Sequence, residues 1–112
     1  MAKDDYFVLA YRILAYLYAC LKNGEQPDMN YISASELGIN PNYWEYIMRH
    51  LYQDEFIEGL HVLNVACRAT PQIKLTQAIM ITPLGIEFLE NNSTMAKAKI
   101  FLKTLKETIP GL

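Results

Sequence analysis

Apolar residues fill nearly every position of the first long segment of the chain. Fifteen of the sixteen residues in Tyr6–Leu21 are apolar, and one arginine interrupts them. A helix that is apolar on all sides needs cover from other elements on more than one side. Asp4 or Asp5 can cap its start, and Gly24 can end it. The pattern predicts a buried helix from about Asp5 to Lys22.

The middle of the chain carries two successive helix starts with a short turn between them. Ser33, followed three residues later by Glu36, is typical of a capping box and predicts a short helix that Gly38 ends. Asn40 can cap the next helix, which begins with a proline. Two helices joined by a short glycine-containing turn form a helix-turn-helix, here at about 33–54. The preceding "YIS" predicts a very short strand.

The periodicity then changes to that of extended chain. "FIEGLHVLNVA" and "QIKLTQAIMIT" are rich in apolar and β-branched residues, as strands are. They predict two antiparallel strands, about Glu58–Val65 and Ile73–Ile81, joined by a loop near 66–72. These strands form a wing hairpin over about 58–81.

Two more helices are predicted after the hairpin, over about 83–109. Thr82 can cap the first, which begins at Pro83, and Ser93 can cap the second, over about 94–108. The order of elements predicts an α+β fold. We expect a winged helix-turn-helix with a C-terminal helical extension, as a single winged-helix domain over 1–112.

Three stretches, "SELGIN", "LYQDEFIEG" and "ITPLGIEFLENNS", resemble the YjcQ family, small winged-helix proteins of Gram-positive bacteria and their prophages. The resemblance extends from about Asp5 to Thr108, and "TPLGIEFLENNS" is its most specific part. It implies a bacterial or phage context and a winged helix. It implies little about function, because DNA binding in the family is mainly inferred from the fold, and a fold alone does not establish a function.

The helix after the turn has one apolar and one polar face at about 100° per residue. The apolar stripe, which predicts the side facing the core, consists of Trp44, Ile47, Met48 and Leu51. The opposite face consists of Asn42, Tyr46, Arg49 and Gln53.

The polar face carries side chains suited to the major groove of DNA. Arg49 can pair with guanine, and Asn42 or Gln53 can pair with adenine. Tyr46 can donate a hydrogen bond to a phosphate. Polar residues also cover the outside of any ordinary helix, so a plain solvated face is the alternative interpretation.

Charge works against strong DNA binding. The net charge is −2, and residues 1–60 hold four Lys/Arg against nine Asp/Glu, whereas residues 61–112 hold six against three. Non-specific affinity comes largely from neutralised phosphates, so support has to come from the second half. Arg68 in the predicted wing loop and Lys74 beyond it are the candidate phosphate contacts. A dimer would double them.

The predicted last helix has a basic and an apolar face. Lys99, Lys103 and Lys106 lie on one side, as a phosphate stripe or as ordinary solvated surface. The apolar side, which can pack on the first helix or on a second copy of the chain, consists of Met95, Ala98, Leu102, Leu105 and Ile109. A homodimer through the first and last helices is therefore a candidate assembly.

Other classes of function have little support. Cys20 and Cys67 are not spaced as CxxC and predict reduced thiols, and no carboxylate is placed by a motif to orient a Cys67–His61 pair. His50 and His61 lack metal-ligand spacing. The apolar first segment is shorter than the ~20 residues of a spanning helix, and acids precede it. We expect a cytoplasmic protein that is not an enzyme and has no cofactor, metal or membrane partner.

Two functions remain. The first is a winged-helix DNA-binding protein, such as a bacterial or prophage transcriptional regulator that binds double-stranded DNA. The second is a winged-helix module that binds another protein. A positive band joining the reading helix to the wing favours DNA. A neutral aromatic patch at that place favours a protein partner.

Overall fold

The computed structural model describes residues 4–63, 66, 72–76 and 78–92. The elements are α1 (Tyr6–Asn23), a 3₁₀ helix (Met29–Ile32), α2 (Ala34–Leu37), α3 (Pro41–Gln53), β1 (Ile57–Glu58), β2 (His61–Leu63), β3 (Gln72–Lys74), β4 (Met80–Ile81) and α4 (Pro83–Asn92). This α+β arrangement confirms the predicted class and is compatible with a winged helix-turn-helix. The predicted last helix lies outside the described residues.

The buried first helix is confirmed as α1. Asp5 stands at its N-cap position without a side-chain capping bond, and Gly24 ends it in the left-handed conformation with φ 69°. The helix contacts α3, α4 and β4. Nine of its eighteen residues are buried: Val8, Leu9, Ala10, Tyr11, Ile13, Leu14, Tyr16, Leu17 and Cys20. Cover on several sides accounts for the absence of a polar face between its two ends.

The two helices around the predicted turn are present with the predicted caps. The Ser33 hydroxyl accepts a hydrogen bond from the backbone N–H of Glu36 at 3.2 Å, which opens α2. Gly38 ends α2 at φ 70°. The side chain of Asn40 then accepts from the backbone N–H of Asn42 at 2.8 Å and opens α3. The chain direction therefore changes within three residues.

The strand predicted at "YIS" is wrong, because a 3₁₀ helix forms there instead. Local hydrogen bonds decide the outcome. The Asp28 side chain accepts from the backbone N–H of Asn30 at 2.9 Å, and the Ser33 hydroxyl donates to the carbonyl of Asn30 at 3.0 Å. Such side-chain bonds compete with strand pairing.

The predicted hairpin forms, but each long strand is divided into two short ones. β1 pairs with β4 through Ile57↔Ile81, and β2 pairs with β3 through His61↔Lys74; both pairs are antiparallel. Gly59 lies between the pairs at φ 84°, and the Thr76 hydroxyl donates to its carbonyl. The hairpin therefore has an inner and an outer half on either side of Gly59.

Replacing Gly59 with alanine should destabilise the protein strongly. A Cβ there would lie 2.2 Å from the carbonyl oxygen of Ala78, which belongs to the backbone and has little room to move. Together with the left-handed φ, this clash should cost about 3 kcal/mol of unfolding free energy. Urea unfolding monitored by circular dichroism measures the loss.

Gly24→Ala is the matched control. Gly24 also has a left-handed φ, but no atom lies within 4 Å of its added Cβ. Only the conformational cost of about 1 kcal/mol applies there. Equal losses in the two variants would contradict the close approach at Gly59.

Tyr16 joins α1 to the loop before the 3₁₀ helix. Its hydroxyl accepts from the backbone N–H of Asp28 at 2.7 Å, and its ring meets Tyr31 edge-on at 5.4 Å. Burial raises the pKa of Tyr16 to about 12, although the bond from Asp28 favours the ionised form and partly offsets the shift. The neutral phenol is therefore the form that the fold stabilises.

This pKa predicts a loss of stability at alkaline pH. An unfolded tyrosine ionises near pH ~10, so between there and about 12 the unfolded chain has released a proton that folded Tyr16 still holds. The unfolding free energy should fall across this window. In Tyr16→Phe it should fall less steeply, since one such group is gone. Urea unfolding from about pH 9 to about pH 11.5 compares the slopes, and identical slopes would refute the assignment.

Candidate nucleic-acid interface

α3 is held in one orientation by its apolar side. Ile47, Met48 and Leu51 have no exposed surface, as their predicted stripe requires. Trp44, the fourth residue of the stripe, is half-buried, and its indole N–H donates to the carbonyl of Ile32 at 2.7 Å. Packing and this hydrogen bond together fix the rotation of α3 about its axis, and therefore fix which side faces outward.

The predicted polar face is on the outward side. Asn42, Tyr46 and Gln53 are exposed, and Arg49 is half-buried. These four residues follow one another along a single face over the length of α3. The Tyr46 ring and the Arg49 guanidinium also lie close together, with 5.8 Å between the guanidinium carbon and the ring centroid. Such a pair favours a guanidinium that lies over the ring.

Of the two residues predicted to lie in the wing, the structure describes Lys74 but not Arg68. Lys74 is exposed at the end of β3, while its neighbour Ile73 is buried on the other side of the strand, and β3 packs against α3. Lys74 therefore points away from the core on a strand that lies next to α3. Arg68 lies outside the described residues.

A run of aromatic rings crosses from α3 over the start of α1 to α4. Adjacent ring centroids along it lie 4.3 to 6.5 Å apart, at distances typical of ring–ring contact. We call this run the aromatic strip; in order it consists of His50, Tyr46, Tyr6, Phe7 and Phe88. Phe7 is 66% exposed and Tyr46 is 47% exposed. The strip is thus a surface feature.

Sequence reasoning missed the strip for a specific reason. The sequence placed Tyr46 on the outward polar face of α3 but gave no sign of its neighbour Tyr6 of α1, which meets it edge-on at 6.2 Å. Because α1 is apolar on all sides, its periodicity does not indicate that Phe7 lies outside. In the sequence, Asp4 and Asp5 directly precede Tyr6 and Phe7, and these charged neighbours indicate that this end of the helix meets solvent.

Carboxylates lie near Tyr6 of the aromatic strip and near Tyr43 of α3. Burial raises the pKa of Tyr6, and the nearby charge of Asp54 raises it further. Burial likewise raises the pKa of Tyr43, with added contributions from Asp4 and Asp5. The part of the chain that the structure describes holds four Lys/Arg and eleven Asp/Glu. Among the described residues, the surface beside Tyr6 and Tyr43 is aromatic with carboxylates close to it, and Arg68 of the predicted wing loop lies outside those residues.

The remaining candidate chemistry is limited within the described residues. Cys20 is buried, and burial raises the pKa of its thiol, so the thiol form is favoured. No group of three His, Cys, Asp or Glu side chains that could hold a metal occurs among the residues described here. His61 is exposed on β2, and Cys67 is not described.

Comparison with protein families decides the relationship. The family model described as YjcQ protein matches residues 11–108. The chain belongs to the YjcQ family.

The match confirms the resemblance of the three sequence stretches, and it spans all of α2, α3 and α4. No curated protein and no solved structure matches this YjcQ family member. None of its described helices is long and apolar enough to span a membrane.

Trp44→Phe should loosen α3 of this YjcQ family member. The change keeps an aromatic ring but removes the indole donor from the carbonyl of Ile32, at a cost of about 1–3 kcal/mol of unfolding free energy. Trp44 is the chain's one tryptophan, so unfolding has to be followed by circular dichroism.

Tyr52→Phe is the control on the same helix. Tyr52 is exposed, so its change should stay within about 0.5 kcal/mol. A Trp44→Phe variant as stable as this control would show that the hydrogen bond does not anchor α3.

Proposed function

We propose that this protein binds double-stranded DNA through a winged helix, as a bacterial or prophage transcriptional regulator. The outward face of α3 supports the proposal most directly. It presents Asn42, Arg49 and Gln53 from a helix whose rotation is fixed by Trp44 and by buried apolar residues. A rigid helix with such side chains is what base recognition in a major groove requires.

Each residue of the interface has a separate role in the proposal. Arg49 pairs with guanine, and Asn42 and Gln53 read adenine. Tyr46 holds the Arg49 guanidinium near its ring and donates its hydroxyl to a phosphate. Lys74, with Arg68 in the wing loop, contacts the backbone and therefore adds affinity without sequence preference.

The charge distribution limits how tightly one copy can bind. Six of the chain's ten Lys/Arg lie outside the described residues, at Lys3, Arg68, Lys97, Lys99, Lys103 and Lys106. The acidic surroundings of α3 oppose phosphate contact. We therefore propose weak, strongly salt-dependent binding by one copy and tighter binding by a homodimer. We also propose that the protein is cytoplasmic and is not an enzyme.

The aromatic strip favours a second candidate function, a protein-binding module. Exposed Phe7 and Tyr46 form part of one continuous aromatic surface next to α3. Aromatic residues are enriched in protein interfaces, and carboxylates at the rim suit a basic partner. In this alternative, α3 supports the strip and does not enter a groove.

A binding titration with matched variants tests the first function. Wild type should bind random-sequence duplex DNA near ~50 mM salt and lose affinity steeply as salt rises. Lys74→Ala should weaken binding to all sequences alike and reduce the salt slope by about 1. Arg49→Ala should relax the base preference seen in selection from a random library, at a cost of about 1–3 kcal/mol on the preferred site.

Lys22→Ala is the control for charge alone. Lys22 lies over the Tyr18 ring at the far end of α1, so its loss should leave DNA binding nearly unchanged. Absence of DNA binding by wild type at low salt would reject the first function and favour the protein-binding module. Binding that is equally insensitive to Arg49→Ala and Lys74→Ala would reject the proposed interface.

A further inference from the structure

We propose that residues 93–112 of this chain fold back and dock on the aromatic strip. The strip is an unpartnered apolar surface within the described part of the chain, and its most exposed ring, Phe7, is 66% exposed. A large aromatic side chain gains about 1.5–3 kcal/mol when it is fully buried, so a permanently exposed Phe7 forgoes that gain. A segment of the same chain is the occupant that this surface fits.

The described part of α4 ends one turn after a residue of the strip. Phe88 stacks on Phe7 with 6.5 Å between the ring centroids. The described part of α4 ends at Asn92, whose side-chain N–H donates to the carbonyl of Phe88 at 2.8 Å. Four residues of helix rise by about 6 Å, so the described part of α4 ends about that far along the helix from Phe88.

The charges of the two surfaces are complementary. Residues 93–112 hold four lysines and one glutamate, whereas Asp54 lies near Tyr6 of the strip, and Asp4 and Asp5, which directly precede Tyr6 in the chain, lie near Tyr43. The segment also repeats apolar residues at helical spacing, at Met95, Ala98, Leu102, Leu105 and Ile109. An apolar stripe flanked by lysines matches aromatic rings flanked by carboxylates.

A different apolar surface exists at the other end of α1, but it fits less well. Leu21 is 45% exposed and lines a cleft with Cys20 and Met80. It lies fourteen residues from Phe7, or about 21 Å along the helix, so the segment would have to cross α1 before reaching it. Leu21 therefore serves as a matched control, because it is also an exposed apolar residue of α1.

The docking has its own readout, separate from DNA binding. Tyr46 belongs both to the strip and to the proposed reading face, so a segment that occupies the whole strip also covers part of that face. Docking is a property of the free protein, so it can be measured whether or not the protein also binds DNA. Limited digestion of the free protein therefore tests the docking without DNA.

Limited trypsin digestion of the full chain tests the docking through cleavage after Lys97, Lys99, Lys103 and Lys106. In wild type, these sites should be protected. Phe7→Ala should speed cleavage roughly tenfold, because one well-buried aromatic contact is lost, and Leu21→Ala should leave the rate unchanged. Leu102→Ala, which changes only the segment, should also speed cleavage after Lys99. Added salt should reduce the protection in wild type.

Three outcomes would overturn the proposal. Wild-type sites that are cleaved as fast as in a denatured chain would mean that the segment is not docked. A faster rate in Leu21→Ala but not in Phe7→Ala would place the segment on the other surface. Protection that rises with protein concentration would show that the segment docks on a second copy. Thermal unfolding of each variant confirms that the fold is intact before digestion.

Discussion

Burial of α1 determines where the other elements lie. Between its two ends, this helix has no polar face, so water has to be excluded from nearly its whole circumference. α3, α4 and β4 supply that cover. The side of α3 that faces outward is therefore determined by the side that packs against the core. Ile47, Met48 and Leu51 are buried against the core, so Asn42, Tyr46 and Gln53 are exposed on the opposite side.

The sequence predicted the elements that depend on local chemistry. The caps at Ser33 and Asn40 and the left-handed glycines at the ends of α1 and α2 mark their boundaries directly. The stripe that contains Ile47 was equally readable, because a polar face opposes it. These features were predictable because each depends on residues a few positions apart.

The parts that were missed depend on contacts between distant residues. The 3₁₀ helix is tied to α1 by the bond between Tyr16 and the backbone of Asp28, and no local pattern indicates that pairing. The aromatic strip joins α3, α1 and α4, and the position of Phe7 cannot be read from a helix that has apolar residues on all sides. The division of the hairpin depends on Gly59 meeting Ala78 across the strands.

In the proposed DNA binding, base recognition and phosphate attraction depend on different residues of the chain. The side chains proposed to read bases are on α3, the described residues hold more carboxylates than cations, and six of the ten Lys/Arg lie outside the described residues. A protein arranged in this way needs a second contribution to hold a polyanion, from the wing or from another copy. The same arrangement suits a surface whose partner is a basic peptide segment.

Gly59 also divides the hairpin into two strand pairs that differ in how freely their length can change. The inner pair, β1 and β4, leads directly into α4, and the Thr82 hydroxyl donates to the carbonyl of Glu55 at that junction. The outer pair, β2 and β3, is attached beyond the glycine. Insertions or deletions in the outer pair can therefore change the reach of the wing while the register of the inner pair, and with it the position of α4, stays the same.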